Sequence, residues 1–408
     1  MALIVQKYGG TSVASVERIR SVSQRVIKTK ERGDDVVVVV SAMAGETDRL
    51  LKLAKEVASE PDERELDVVL ATGEQVSSAL LSIVLTSMGY KAKSYLGHQI
   101  KISTDSVHGR ARITSVDADK IFSDLREGLI VVVAGFQGED EEGNITTLGR
   151  GGSDTTAVAI AAALKADLCE ICTDVDGVYT TNPNICDQAR KISRISYDEM
   201  LEMASLGAKV LQIRSVEFAK KYGVPIHVRS SFSENEGTIV CEEDIEMERA
   251  LVSGLTYDMG QARVEITKVP DRPGIAAKFF DAISAADIVV DMIIQTSSLE
   301  EGYANIAFTI STADFPKALK IAKSLAKRMG AKEVIAEEEV AKVSMVGVGM
   351  RSHSGVASKM FGALAKEGIN IKMISTSEIK ISCIIDAKYT ELAVRSLHEA
   401  FELGKGSG

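Results

Sequence analysis

Val36–Val40 is a run of five consecutive valines, and it restricts the fold of this chain more than any other stretch of the sequence. β-branched side chains favour strands, and a strand without polar–apolar alternation is buried on both faces, as in a parallel sheet. Helical and strand patterns alternate on both sides of this run, over residues 2–228. We therefore predict an α/β fold in which helices cover a mostly parallel sheet.

The hydrophobic periodicity also predicts the limits of individual elements. We expect a first strand at Ala2–Gln6, a helix at Val16–Lys28 and a further helix at Glu74–Met88. Two later helices are expected at Asp154–Leu164 and Ala208–Lys221.

The C-terminal part of the chain contains an internal repeat. Gly274–Ile293 matches Gly355–Ile374 at a constant offset of 81, with eight identities in twenty columns. A predicted strand precedes each copy, so each copy reads strand–helix–strand–strand–helix–strand, a ferredoxin-like (βαββαβ) pattern. We predict one domain at residues 1–245 and two repeat units at 262–340 and 341–408, with a strand from about 250–257 completing the second.

The composition argues against several classes of protein. A net charge of −10 argues against nucleic acid or an anionic membrane as the main partner. We expect no membrane span, because no apolar run approaches about 18 residues, and no basic signal segment precedes the first strand. Five cysteines in a long chain suggest reduced thiols and a cytoplasmic protein. Cys169 and Cys172 have no matching pair at zinc-site spacing, and a buried strand explains both.

Four loops with small and polar residues follow predicted strands, at the edge where open α/β sheets bind ligands. The first is Lys7–Ser12, in which two glycines follow the lysine. Glycines let backbone N–H groups approach an anion, the next helix points its N-terminus at the site, and the lysine adds charge. A plain Gly-Gly turn explains these residues equally well. The second loop, Ser41–Thr47, is by itself typical of a simple turn.

The third and fourth loops carry charged side chains. In Gly149–Thr156, Ser153 is expected to cap the following helix. Capping does not explain Arg150, which lies between glycines and suits bidentate capture of a carboxylate or a phosphate. Two explanations are open for Thr173–Pro183: a site that contacts a metal or a nucleotide, or an ordinary Asp-Gly turn. The turn is favoured if this loop is considered alone.

Taken together, these motifs resemble those of the aspartate kinases, within the amino acid kinase family. KYGGTS, SAMAGET, ATGEQVSSALL, GRGGSDTT and TDVDGVYTTNP occur in that order. Gly207–Leu211 is similar to a lysine-bearing segment of the family, and the C-terminal repeat is similar to tandem ACT regulatory domains. The resemblance covers essentially the whole chain. One departure is Asn182, where many members have aspartate, and it puts a minor contact to the nucleotide in doubt.

This resemblance implies an amino-acid-kinase fold followed by two ACT domains, and transfer of the ATP γ-phosphoryl group to the side chain of L-aspartate. ATP and Mg²⁺ would be required, and the reaction would be the first step of lysine, threonine and methionine biosynthesis. A carboxylate nucleophile is already ionised at neutral pH, so no general base is needed. Catalysis would then depend on positioning and on neutralisation of the phosphate charge.

The resemblance also assigns roles to individual residues. Lys7 would stabilise the transferred phosphoryl group, and Asp154 would orient Lys7 and help to place Mg²⁺ through water, while direct metal ligands are not predicted. Arg150 would hold the α-carboxylate of aspartate and Glu74 its ammonium group, although the helix dipole alone would explain an acid in a first turn. The other implied substrate residues are Ser41, Thr47, Gly151, Gly152 and Ser153. The implied nucleotide residues, besides Lys7, are Tyr8, Gly9, Gly10, Thr173, Asp174, Tyr179 and Lys209.

The resemblance of the repeat to ACT domains implies feedback inhibition by lysine, threonine or both. The implied effector residues are Asp271, Gly274, Ile275, Ala276, Asp291, Gln295, Asn370 and Ile371. Lys372 replaces Asp291 in the second copy, so the two units should bind the same zwitterion with unequal affinity. Paired ACT domains imply a homo-oligomer, and Met247 offers an internal start for a separate regulatory subunit.

Two alternative functions remain open at this point. A related carboxylate kinase would share the fold, although such kinases usually lack the paired C-terminal units. A catalytically silent sensor would bind an amino acid through those units, but the intact Lys7, Arg150 and Asp154 argue against a silent protein.

Overall fold

The computed structural model of the chain describes residues 1–207, 210–244, 247, 250–297 and 302–405. The described residues fall into two compact units. The first comprises Met1–Tyr179, Lys191–Ser205 and Lys209–Met247, and the second comprises Thr180–Arg190, Leu206–Ala208 and Glu248–Gly408. The predicted nucleotide residue Lys209 lies outside the described residues.

A mostly parallel sheet forms the centre of the first unit. Its described strands, with those of a smaller sheet, are β1 (Leu3–Tyr8), β2 (Asp35–Val40), β3 (Ala92–Tyr95), β4 (Ile102–Thr104), β5 (Ile113–Val116), β6 (Ile130–Ala134), β7 (Gln137–Glu139), β8 (Ile145–Thr147), β9 (Leu168–Thr173), β10 (Arg194–Ser196), β11 (Ile226–Ser230) and β12 (Thr238–Cys241). Eight of these described strands form the large sheet in the order β10-β12-β11-β9-β1-β2-β6-β3. Only β11 and β12 pair antiparallel among its described strands, so the predicted parallel sheet is confirmed.

Helices cover both faces of this sheet. The described helices of the first unit are α1 (Val16–Glu31), α2 (Glu46–Val57), α3 (Glu63–Ser87), α4 (Asp119–Arg126), α5 (Gly152–Leu164), α6 (Tyr197–Ser205) and α7 (Ile213–Tyr222). All five residues of Val36–Val40 are fully buried. Alternate valines of β2 pack with α1 and α3 on one face, and α5 contacts the sheet at β1, β2 and β9. The valine run therefore lies between helical layers, as its composition predicts.

Helix α3 is longer than the sequence pattern predicts. It begins at Glu63, because the Asp62 side chain accepts hydrogen bonds from the first backbone amides, whereas the predicted helix begins only at Glu74. By length and composition alone it could cross a membrane, with a mean hydropathy of 1.6 over its most apolar window. Its Leu70, Leu81 and Leu85 are buried within the first unit, as in the core helix of a folded protein.

The smaller sheet was not predicted. It has the order β5-β4-β7-β8 and its strands are three or four residues long, too short for a clear periodicity. Strand β8 leads directly into the predicted Arg150 loop. The predicted helix at Ala208–Lys221 also begins later than expected: residues 210–212 are not helical, and α7 starts at Ile213.

The second unit contains a sheet of six described strands. Its described elements are β13 (Gly254–Pro270), α8 (Ile275–Ser284), β14 (Val290–Ser297), β15 (Tyr303–Ser311), α9 (Phe315–Met329), β16 (Glu333–Val346), α10 (Val356–Lys366), β17 (Met373–Thr376), β18 (Lys380–Asp386) and α11 (Thr390–Ala400). The strand order is β14-β15-β13-β16-β18-β17, with antiparallel neighbours. The first four residues of β13 pair with the end of β16, beside β18 of the second repeat copy. The predicted fold class, a parallel α/β domain followed by two βαββαβ units, is confirmed.

The segment Thr180–Arg190 belongs to the second unit, although the predicted boundary places it in the first domain. The Thr180 hydroxyl and His398 Nε2 are 2.9 Å apart, and Asn182 Nδ2 donates to the Tyr257 hydroxyl at 2.8 Å. Asn182, the departure from the family pattern, therefore has a structural partner within its own unit.

Candidate active site

Lys7 and Asp154 form an ion pair at the end of the central strand. Lys7 lies near the end of β1, and Asp154 lies in the first turn of α5. Their Nζ and Oδ1 atoms are 2.5 Å apart, and both side chains are largely buried. The partial positive charge at the start of α5 further favours the carboxylate there. This contact is the one that the predicted orientation of Lys7 by Asp154 requires.

The glycine loop after β1 approaches the next loop closely. A Cβ added to Gly10 would lie 2.8 Å from the carbonyl oxygen of Ala42, so a side chain cannot be accommodated there without movement. The amide of Gly9 donates to the carbonyl of Cys172 at 3.3 Å. The amide of Gly10 is therefore the better candidate for contact with a phosphate oxygen.

Glu74 is a buried carboxylate that points into this same region. It lies on α3 and is 3% exposed, and its Oε1 accepts a hydrogen bond from the amide of Ala42 at 2.9 Å. Its Oε2 atom is buried and has no hydrogen-bond partner among the described residues. Burial raises the pKa of Glu74 to about 7, against the opposing effect of the Ala42 amide. A buried acceptor of this kind is suited to bind a cationic group of a ligand.

The glycine-rich loop after β8 presents Arg150 to solvent. Arg150 is exposed, whereas Gly152, Ser153 and Asp154 are buried at the start of α5. The prediction that Ser153 caps this helix is wrong. The N-cap residue is Gly151, with φ of +70° and no side-chain cap, and Ser153 lies one residue inside the helix. Glycine adopts this left-handed conformation without strain, which explains why it begins the helix.

The other predicted substrate residues lie at the neighbouring strand end. The amide of Ser41 donates to the carbonyl of Tyr8 at 3.1 Å, and the Ser41 carbonyl accepts from the Ser77 hydroxyl at 2.8 Å. Thr47 lies half-buried in the first turn of α2. Both residues thus follow β2, and Ser41 contacts the last residue of β1.

The predicted nucleotide residues follow β9 and the end of β1. The Thr173 hydroxyl donates to Asp174 at 3.0 Å, and the Tyr179 hydroxyl donates to Asp176 at 2.8 Å. Partial burial and this carboxylate raise the pKa of Tyr179 to about 12. The Tyr8 side chain is fully buried and burial raises its pKa, so this side chain is not available to a ligand.

No metal cluster is preformed among the residues that the structure describes. Groups of three or more His, Cys, Asp or Glu side chains with suitable positions are absent from this part of the chain. Cys169 and Cys172 are buried free thiols on β9, as their strand pattern predicts, and burial raises the pKa of both.

A cavity of about 340 Å³ lies at the start of α8 in the second unit. Five predicted effector residues line it: Asp271, Gly274, Ile275, Ala276 and Gln295. Asn370 and Ile371 are not among the lining residues of this cavity.

Asp291 also lies outside this cavity lining and already has a partner of opposite charge. Its carboxylate forms an ion pair with Lys342, which is 3% exposed. Its counterpart in the second copy, Lys372, pairs with Glu337 and with Asp386 at 3.0 Å. The acid and the base that distinguish the two copies are thus both neutralised within the chain. Asp271 is therefore a better candidate than Asp291 for contact with an effector ammonium group.

One polar contact at the site, between two buried hydroxyl groups, was not predicted from the sequence. The hydroxyls of Ser12 and Ser231 are 2.6 Å apart and buried, and they join the glycine loop to the loop after β11. Ser12 lies in the KYGGTS motif, where it has no predicted role of its own. Ser231 directly follows strand β11. A hydroxyl at the end of each of two parallel strands is the signal that would have found this pair.

Comparison with known proteins identifies the family. The model of the amino acid kinase family matches residues 2–230, more than half of the chain, and an ACT domain model matches residues 267–324 and 343–401. An aspartate kinase of Stutzerimonas stutzeri is 56% identical over 409 residues, covering 100% of this chain and 99% of that protein. The chain belongs to the aspartate kinases of the amino acid kinase family. An aspartokinase of Pseudomonas aeruginosa is 58% identical, covering 99% of this chain and 98% of that one.

Solved aspartate kinase structures are similar in fold. E. coli aspartokinase III, solved in complex with aspartate and ADP, has a TM-score of 0.78 at 27% identity and covers 98% of this chain and 99% of its own. The aspartate kinase of Synechocystis has a TM-score of 0.55 at 45% identity, with 98% of this chain and 70% of that one covered. The predicted family membership and the predicted class of enzyme are confirmed.

Proposed function

We propose that this kinase transfers the γ-phosphoryl group of ATP to the side-chain carboxylate of L-aspartate, giving 4-phospho-L-aspartate. The observation that carries the proposal is the convergence of two unlike features. Lys7, held by Asp154, lies beside a glycine loop suited to a phosphate, and Glu74 presents a buried oxygen without a partner among the described residues. A ligand with both a cationic group and a phosphoryl acceptor matches that pair.

Each residue then has a defined task. Asp154 holds the ammonium group of Lys7, so that its charge is in place when negative charge moves on the transferred phosphoryl group. Glu74 binds the ammonium group of aspartate and Arg150 its α-carboxylate, which leaves the side-chain carboxylate to attack. That carboxylate is ionised at neutral pH, so the chain needs no general base for it. Positioning and charge neutralisation are sufficient for phosphoryl transfer.

The residues present are compatible with Mg²⁺. This ion is commonly bound through one or two carboxylates together with substrate phosphates and water, and it neutralises phosphate charge. Asp154 is the carboxylate at the phosphate end of the site, and it would contact the ion through water. Thr173, Asp174 and Tyr179 are proposed to contact the nucleotide, together with Lys209.

Regulation is proposed to occur at the cavity before α8. Lysine, threonine or both would bind there, with the effector carboxylate near the start of α8 and its ammonium group near Asp271 or Gln295. Inhibition requires only that the effector bind the inactive arrangement better than the active one. Turnover measured with each amino acid singly and together tests this, and an enzyme that ignores millimolar amounts of both refutes it.

The remaining proposals concern biological context. The enzyme would act in the cytoplasm, at the first step of lysine, threonine and methionine biosynthesis, as a homo-oligomer formed through its ACT domains. Met247 would serve as an internal start for a separate regulatory chain. Mass spectrometry of untagged protein from the native host would detect a fragment of about 160 residues or exclude it.

A coupled ADP-release assay with aspartate, glutamate and N-acetylglutamate tests the proposed substrate. Aspartate should support turnover far better than the two longer acids. Equal rates with all three, or a preference for N-acetylglutamate, would indicate a different carboxylate kinase.

A further inference from the structure

The Arg150 loop is fixed at its base by an arginine of a distant helix. Arg214, in the first turn of α7, donates from one terminal nitrogen to the carbonyl of Leu148 at 2.8 Å. Its other terminal nitrogen donates to the carbonyl of Ala111 at 2.7 Å. The guanidinium group is a planar fork, so two simultaneous hydrogen bonds define the position of both carbonyl groups. Leu148 is the residue immediately before Gly149–Gly152, which we call the substrate loop.

A buried carboxylate fixes the same stretch of chain from the other side. Asp67 of α3 is 1% exposed, and it accepts hydrogen bonds from the amide of Thr147 at 3.1 Å and from the Thr147 hydroxyl. It also accepts from the amide of Gly109 at 3.1 Å, and the His108 Nδ1 atom lies 2.8 Å from it. Consecutive residues, Thr147 and Leu148, are therefore held by two different helices.

The helix that carries Asp67 also carries Glu74. The two acids are seven residues apart, which places them on the same face of α3. In the proposed complex, Glu74 binds the ammonium group of aspartate and Arg150 of the substrate loop binds its α-carboxylate. Through Asp67, the substrate loop that carries Arg150 is attached to α3, the same helix that carries Glu74.

The substrate loop also lies directly against the start of α7. A Cβ added to Gly151 would come within 1.7 Å of the Gln212 side chain, the residue before this helix. The loop therefore approaches α7 at Gly151 as well as at the Arg214 fork. Two separate contacts with the same helix restrict the loop more than either one alone.

We propose that Arg214 is a positioning residue for the aspartate pocket, which fixes the base of the substrate loop so that Arg150 meets the α-carboxylate. The proposal rests on the proposed function, since it concerns the grip on aspartate. Misplacement of a binding group by about 1 Å can reduce rates by about a hundredfold. The proposed nucleotide residues Thr173, Asp174 and Tyr179 follow β9 and do not belong to the substrate loop, so ATP binding through them should change little.

The test compares Arg214→Met and Arg214→Lys with a control on the same helix. Lys220→Met removes the exposed ion pair of Lys220 with Asp198 and leaves the substrate loop untouched. Arg214→Met is expected to raise the Michaelis constant for aspartate at least tenfold and that for ATP less than twofold. Arg214→Lys should have an intermediate effect, because an ammonium group cannot hold both carbonyls in the fork geometry. Lys220→Met should match the wild type.

Equal increases in the Michaelis constants for aspartate and ATP would overturn the proposal. So would a Michaelis constant for aspartate within twofold of the wild-type value in a folded Arg214→Met variant. If Arg214→Met fails to fold, Arg214→Lys decides by the same criterion. Hydrogen exchange of peptides covering residues 148–153 gives a readout independent of turnover. Exchange there should accelerate in either Arg214 variant and not in Lys220→Met, and unchanged exchange would also refute the role. A wild-type enzyme inactive on aspartate would refute the proposed function alone.

Discussion

Replacing Glu74 by glutamine is expected to stabilise the protein at alkaline pH while it destroys productive binding of aspartate. Glutamine keeps an acceptor for the Ala42 amide but removes the buried charge. An amide is less costly to bury than a carboxylate that lacks a counter-ion. If Glu74 has the proposed role, it serves binding of aspartate at the expense of stability.

The magnitude follows from the pKa of Glu74, which burial raises from 4.5 to about 7. Below about pH 4.5 the carboxyl is protonated in both the folded and unfolded states. Between about pH 4.5 and 7 only the folded state holds the proton, so the free energy of unfolding falls as the pH rises. Above pH 7 the full cost, at most about 3 kcal/mol, is present. Glu74→Gln removes this cost.

Calorimetry of unfolding at pH 8 and pH 5.5 measures the effect on stability. Glu74→Gln should unfold at a higher temperature than wild type at pH 8, and the gain should shrink at pH 5.5. An equal gain at both values, or a loss at pH 8, would contradict the assignment of a raised pKa to Glu74.

Kinetics tests the same carboxylate in its binding role. In the wild type the Michaelis constant for aspartate should rise about fivefold between pH 7 and pH 6, as Glu74 takes up a proton. Glu74→Gln should raise that constant about 30-fold or more and remove its pH dependence in this range, because a buried ionic contact to the ammonium group is lost. A wild-type Michaelis constant for aspartate that does not change between pH 7 and pH 6 would refute the binding role of Glu74.

Four further substitutions test other parts of the enzyme. Lys7→Ala should lower turnover by several orders of magnitude with little change in unfolding temperature, and turnover within tenfold of wild type would remove Lys7 from catalysis. Arg150→Lys should raise the Michaelis constant for aspartate far more than that for ATP, whereas equal effects would mean that Arg150 binds phosphate. Asp271→Ala should relieve inhibition by lysine or threonine and leave uninhibited turnover nearly intact. Asp291→Ala should relieve inhibition less, because Asp291 already pairs with Lys342, and the reverse order in inhibition assays would restore Asp291 as the effector ligand.

The parts of the fold with strong periodicity could be predicted from the sequence. The valines of β2 required burial on both faces, and the repeat at an offset of 81 revealed the two βαββαβ units. The small sheet could not be predicted, because strands of three residues, such as β7 and β8, are too short to show an alternation of polar and apolar residues. The first turns of α3 could not be predicted either. The helix begins after the Asp62 cap, and its first turn is mainly polar and shows no apolar periodicity.

The candidate site was predictable where a motif occupies one loop and unpredictable where it depends on distant contacts. Lys7 and Asp154 were quoted in two motifs, and the structure brings them together. Asp67 lies 80 residues from the Thr147 amide and Arg214 lies 66 residues from the Leu148 carbonyl, and no local pattern marks such pairs. The prediction that Ser153 caps α5 failed because the helix begins from Gly151, whose left-handed backbone conformation is not visible in the sequence.

Trapping of the reaction product tests the central claim most directly. Purified enzyme with ATP, aspartate and hydroxylamine should release ADP and form an aspartate hydroxamate in equal amounts, because hydroxylamine reacts with an acyl phosphate. Mass spectrometry of fragments should place the hydroxamate on the side-chain carboxyl. ADP released without hydroxamate, or a hydroxamate on the α-carboxyl, would contradict transfer of the phosphoryl group to the side chain of aspartate.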